Sequence, residues 1–113
     1  MSKLAGKIKI EQNLEFIVNV YGDDILKNLL KDILNDLSET GSHYTGKVDY
    51  DDCKIDDRET KCYFIELYVN DEDSLSEKKI ESNLKHIAEN LMKMYRRDRV
   101  YVEVLGKQGM WIN

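Results

Sequence analysis

The stretch "DYDDCKIDDRETKC" holds the densest set of side chains capable of chemistry: Asp49, Asp51, Asp52, Asp56 and Asp57 fall within nine residues, and Cys53 and Cys62 lie among and beyond them. Clustered carboxylates can hold a divalent cation, present an acidic surface to a basic partner, or keep a hairpin end wet. A calcium loop needs oxygen ligands at alternate positions, a central glycine and a closing glutamate. Counted from Asp49, the fifth position is Cys53, the sixth Lys54 and the twelfth Thr60, so the pattern fails. The acidic stretch therefore reads as a solvated hairpin end, with Asp49, Asp51, Asp52, Asp56 and Asp57 as an orienting surface for a partner.

The remaining chemical candidates are sparser. Cys53 and Cys62, with eight residues between them, do not have zinc-knuckle spacing, and His43 and His86 lie too far along the chain to complete a site. Two cysteines do not make a disulfide framework, so the expectation is two reduced thiols facing each other across a hairpin. In "VYGDDI", Asp23 and Asp24 stand where a strand enters a helix, a place for a nuclease-like metal carboxylate but also for an ordinary helix cap. No metal site, cofactor or catalytic residue is assigned on these grounds. The basic cluster Lys93, Arg96, Arg97 and Arg99 closes a helix, where cations complement the dipole.

These residues must be positioned by periodic elements. "DDILKNLLKDILNDLSETG" carries Ile25, Leu26, Leu29, Leu30, Ile33, Leu34 and Leu37 on one helical stripe, ended by Gly41. "SLSEKKIESNLKHIAENLMKMYRR" repeats the pattern with Ile80, Leu84, Ile87, Leu91 and Met94, opened by Ser74 and Glu77 at capping-box spacing. "LEFIVNVY", "HYTGKVDY", "KCYFIELYV" and "RVYVEVL" alternate with period two. A hairpin centred between Asp57 and Arg58 brings Val48 opposite Leu67, Tyr50 opposite Ile65, Asp49 opposite Glu66 and Cys53 opposite Cys62. Its "DDRE" tip lacks the Asn-Gly signature, which predicts a loose loop.

The order strand, helix, strand, strand, helix, strand predicts an α+β fold of ferredoxin-like βαββαβ plan, a four-stranded antiparallel sheet with both helices on one face. The chain reads as a single domain over residues 1–113, with a core of about 14–105 and strand-like extensions at 1–13 ("KIKIE") and 106–113 ("GMWI").

The uncovered sheet face then presents Ile17, Tyr21, Phe64, Tyr68 and Tyr101 as apolar anchors, beside Glu15, Glu66 and Glu103. RNA-recognition domains stack bases on such rings, but the Lys/Arg-Gly-Phe/Tyr motif is absent and the glutamates repel phosphates, so nucleic acid is disfavoured. With a net charge of -5, no apolar run of membrane-spanning length and no secretory leader, the chain reads as a cytoplasmic protein that does not engage membranes. The functional expectation is a binding or regulatory module acting on a protein partner or on itself as a homodimer, for instance a phage or mobile-element inhibitor of a basic host protein. Two alternatives stand beside it: a metal-dependent nuclease-like enzyme built on the clustered aspartates, and a single-stranded nucleic-acid binder using the open sheet.

Overall fold

The structure, a computed structural model, describes residues 2–12, 23–41, 43–70 and 75–113. The described elements are β1 (Ser2–Glu11), α1 (Asp23–Ser38), β2 (Tyr44–Ile55), β3 (Arg58–Asn70), α2 (Glu77–Tyr95), β4 (Val100–Val104) and β5 (Met110–Ile112). The strands form one antiparallel sheet in the order β2-β3-β1-β4-β5. The protein is thus α+β, with five described strands where four were expected.

The largest correction concerns the N-terminus. "KIKIE" is no peripheral extension: β1 lies at the centre of the sheet, paired with β3 from Ser2↔Asn70 to Glu11↔Cys62 and with β4 from Gly6↔Val104 to Lys9↔Tyr101. Its alternation explains this, since Ile8 and Ile10 are buried while Lys7 is exposed. A bulge between Leu4 and Gly6 brings Gly6 under α2. A Cβ on Gly6 would stand 2.4 Å from Leu84 Cδ1 and 2.5 Å from the Glu103 carbonyl oxygen, so glycine permits the close approach. The expected strand "LEFIVNVY", with Ile17 and Tyr21, lies outside the described residues, as does Ser74.

One core joins the two helices to one sheet face. Leu29, Ile33 and Leu37 of α1 and Ile80, Leu84, Ile87, Ala88 and Leu91 of α2 pack over Ile8, Ile10, Ile65, Leu67, Val100 and Val102. Met94 departs from the expected stripe and is exposed, whereas Tyr95 is buried. The α2 cap is Ser76, whose hydroxyl accepts from the Lys79 N–H at 3.1 Å, two residues beyond the expected Ser74. Arg96 closes the helix in the left-handed conformation. Among the described residues, no helix is long and apolar enough to cross a membrane.

The hairpin between β2 and β3 is tighter than expected. Asp56 and Asp57 both take positive φ, 51° and 63°, and form a two-residue turn between the paired Ile55 and Arg58. Aspartate tolerates this conformation because its short side chain satisfies nearby backbone. The register moves by two residues, so the inward residues stay inward while every cross-strand partner changes. Val48 faces Ile65, Asp49 faces Phe64, and Glu66 faces Lys47 rather than a second acid. Tyr50, expected in the core, faces Tyr63 at the rim and remains 42% exposed.

Cys53 and Cys62 are likewise not directly opposed, since Cys53 pairs with Thr60 and Cys62 with Asp51. They are nonetheless joined in a disulfide, with Cα atoms 6.0 Å apart, which corrects the expectation of reduced thiols. By closing a short loop in the unfolded chain, the bond contributes about 2–3 kcal/mol of stability. Thermal melts with and without reductant are expected to show that loss, and identical melts would remove the disulfide from the stability of this hairpin.

Candidate active site on the open sheet face

With the core on one face of the sheet, the outward residues line up in two rows, the first across four strands and the second across all five. In the first, Lys47 of β2 faces Glu66 of β3, Glu66 faces Lys7 of β1, and Lys7 faces Glu103 of β4. In the second, Asp49 faces Phe64, Phe64 faces Lys9, Lys9 faces Tyr101, and Tyr101 faces Trp111 of β5. Adjacent positions along one strand's outer face are two residues apart, which is why both rows arise from the same strands. A row of alternating charge thus runs beside a row of rings.

Between the rows lies a shallow cavity of about 240 Å³, walled by Phe64, Tyr101, Glu66, Glu103 and the stems of Lys7 and Lys9. Glu66 and Glu103 flank it from β3 and β4, two strand spacings or about 10 Å apart at the backbone, with Lys7 between them. Tyr68 donates its hydroxyl to Glu66 Oε2, and Lys47 Nζ lies 3.6 Å from the same oxygen. The Tyr68 hydroxyl, with Lys47 and Lys7 assisting, holds the Glu66 carboxyl below the usual carboxylate range. The same bond raises the Tyr68 phenol, because ionising it would cost the donated proton.

The aromatic row is held from both ends. Lys9 Nζ stands 5.0 Å from the Tyr101 ring centre, and Tyr101 meets Trp111 edge to face at 5.4 Å. Behind Trp111, the Arg99 guanidinium stacks at 4.3 Å. A Cβ on Gly109 would fall 2.2 Å from the Tyr101 ring, so the absence of a side chain there lets the ring lie flat across the β4–β5 connection. Flat rings, a carboxylate at Glu66 held by its neighbours, a second carboxylate at Glu103 and intervening ammonium groups suit a small ligand that is part planar and part zwitterionic.

The sequence-derived candidates divide between this face and elsewhere. Phe64, Tyr68 and Tyr101 share the open face and are half-buried. Ile17 and Tyr21 lie outside the described residues, and the central positions on the face belong to Lys7, Lys9 and Glu11, which makes it more charged than the expected set of apolar anchors. Asp49, Asp51 and Asp52 are exposed on the edge strand β2, and Asp56 and Asp57 form the turn. Part of this acidity is answered within the chain: Lys61 pairs with Asp52 and Arg99 with Asp56, while Arg58 from the same hairpin reaches Glu11 of β1 through two 2.9 Å hydrogen bonds.

Among the described residues, no group of three or more His, Cys, Asp and Glu side chains is placed to hold a metal ion. The backbone of α1 begins at Asp23, so Asp23 and Asp24 open a helix. The basic cluster is dispersed: Arg97 donates to the Gln12 carbonyl and Arg99 serves the Asp56 pair and the Trp111 stack. Sequence reading named neither Lys7, Lys9 nor Trp111 as site residues. For Lys7 and Lys9 the signal is the alternation in "KIKIE", which becomes informative only once that strand is known to be central.

No protein-family model matches the chain, and no curated protein matches it significantly. Two solved structures do share its fold. The phage SAM lyase in its apo state superposes with a TM-score of 0.64 at 11% identity, over 99% of this chain and 90% of that one. The phage SAM lyase in complex with S-methyl-5'-thioadenosine gives 0.59 at 12% identity, over 97% and 88%. At these identities the likeness is one of fold. It overturns the expectation of a regulatory protein-binding module or inhibitor, because the architecture shared along nearly the whole chain is that of an enzyme.

Proposed function

We propose that the protein is a lyase that cleaves S-adenosylmethionine on the open sheet face, releasing S-methyl-5'-thioadenosine. The observation that carries this reading is the fold shared with such an enzyme over almost the full length of both chains. In the same spirit, we read β2-β3-β1-β4 as a split βαβ unit of ferredoxin-like plan in which β1 is the first strand, extended at its edge by β5. Fold alone does not assign chemistry; the residues of the cavity must supply it.

The substrate's sulfonium is already a good leaving group. Breaking the bond from sulfur to the γ-carbon of the amino-acid arm leaves the electron pair on sulfur and produces the neutral thioether. The γ-carbon takes an oxygen of the substrate's own carboxylate, closing a five-membered lactone. No water, oxidant or reductant is consumed, and no proton needs to move. Opposite charges on sulfonium and carboxylate vanish as the transition state forms, so an aromatic, water-poor wall favours the step over bulk water.

In this reading Phe64, Tyr101 and Trp111 provide that wall and the faces against which the adenine rests. Glu66 and Glu103 accept hydrogen bonds from the α-ammonium group and the ribose hydroxyls, and hold the amino-acid arm folded for closure. Lys7, between them, attends the carboxylate.

The test is direct. Purified protein incubated with S-adenosylmethionine is expected to release S-methyl-5'-thioadenosine, followed by chromatography and mass spectrometry against a heat-denatured control. Failure to form that product above the spontaneous rate would remove the lyase reading.

A further inference from the structure

We propose that Tyr68 and Lys47 are positioning residues for Glu66: both engage Oε2 of its carboxylate and leave Oε1 as the acceptor turned to substrate. The inference rests on the reading of the open face as the lyase site.

The geometry follows from the strands. Tyr68 and Glu66 are two residues apart on β3 and so project from the same face, which lets the phenol reach the carboxylate of its own strand. Lys47 stands opposite Glu66 on β2, and its ammonium lies 3.6 Å from the same Oε2. A carboxylate held at one oxygen by a donor and a cation has lost its free rotation, while the lone pairs of the other oxygen remain available. The Glu66 side chain is 27% exposed, so it is reachable from the cavity that it lines.

The groups facing Glu66 come from all the strands around it. β2 contributes Lys47 and, diagonally, Asp49; β1 contributes Lys7 and Lys9; β3 contributes Tyr68; and β4 contributes Glu103 beyond Lys7. Both helices pack on the opposite face. Of these groups the Tyr68 hydroxyl is the strongest influence that favours the ionised form, ahead of Lys47 and Lys7. Loss of the hydroxyl therefore makes the carboxylate easier to protonate, and activity that needs ionised Glu66 begins to fail at a higher pH on the acid side.

The experiment compares wild type, Tyr68→Phe and Lys47→Met for S-methyl-5'-thioadenosine release across pH. In parallel, the Glu66 carboxyl is titrated by carbon-13 NMR, and melting curves verify that each variant is folded. Tyr68→Phe is expected to lower kcat about tenfold at neutral pH with little change in KM, and to move the acid limb to higher pH. Lys47→Met is expected to move both in the same direction by less, because its ammonium is more distant and more exposed. The NMR titration should follow the acid limb. If wild type cleaves the substrate while folded Tyr68→Phe retains its rate, its acid limb and its Glu66 titration, the positioning role is overturned and the lyase reading survives. If wild type does not cleave the substrate, both fall together.

Discussion

Replacing Glu66 or Glu103 by glutamine is expected to lower the release of S-methyl-5'-thioadenosine by about 100-fold, with the fold intact. Glutamine keeps the size of the side chain and removes its charge, so the change isolates the electrostatic part of substrate positioning. Removing one preorganised polar partner at a reacting centre costs about 100-fold to 1000-fold in rate. Both residues flank the same cavity from opposite strands with Lys7 between them, so each variant also leaves that ammonium with one carboxylate neighbour fewer. The contrasting variant is Asp57→Asn, in the hairpin turn, where Asn adopts the positive φ of 63° as readily as Asp does. It is expected to keep the wild-type rate. If Asp57→Asn abolished product while both glutamate variants retained it, the chemistry would belong to the acidic hairpin, and the open face would lose its assignment.

The second large effect is on stability. Ile8→Ala is expected to destabilise the protein by about 2–5 kcal/mol, the usual cost of deleting most of a buried aliphatic side chain. Ile8 is 1% exposed and sits on β1 between Ile65 of β3 and Val102 of β4. The cavity cannot collapse easily, because both neighbouring strands are fixed by their own hydrogen bonds and covered by α2. In thermal denaturation this loss corresponds to a fall in Tm of about 10 °C or more. Were residues 1–11 a peripheral extension, the substitution would change the melt by little, so a wild-type Tm for Ile8→Ala would contradict the central placement of β1.

These two predictions concern residues that differed in how plainly the sequence displayed them. Glu66 and Glu103 are visible on the open face from the alternation of "KCYFIELYV" and "RVYVEVL", because their inward neighbours Ile65, Leu67, Val102 and Val104 mark which way each strand faces. In the sequence alone they read as groups that repel phosphate. Seeing them as a pair requires knowing that a single strand, carrying Lys7, separates them. Ile8 is visible as half of a short alternation, yet "LEFIVNVY" offers a longer one that competes for the place of first strand.

The acidic stretch illustrates the converse. Its charge dominated the sequence, but the folded chain supplies Lys61 to Asp52 and Arg99 to Asp56, partners drawn from other strands and loops. What remains is the exposed Asp49 and Asp51 of an edge strand and a tight turn at Asp56 and Asp57.

Local patterns determined a good deal by themselves: the two amphipathic helices, the inward face of β3 and β4, and the hairpin linking β2 to β3. Each depends on interactions between residues a few positions apart, whose geometry the backbone repeats dictate. The tertiary structure alone decided the rest. Hairpin register changed with the conformation of two aspartates, and parity survived because the shift was even. The place of β1 in the sheet depended on pairing with residues about 60 and 95 positions away, set by the summed burial of the whole core rather than by any local signal. The row of Glu66, Lys7 and Glu103 exists only because those distant strands meet, and for that reason the site became legible only in three dimensions.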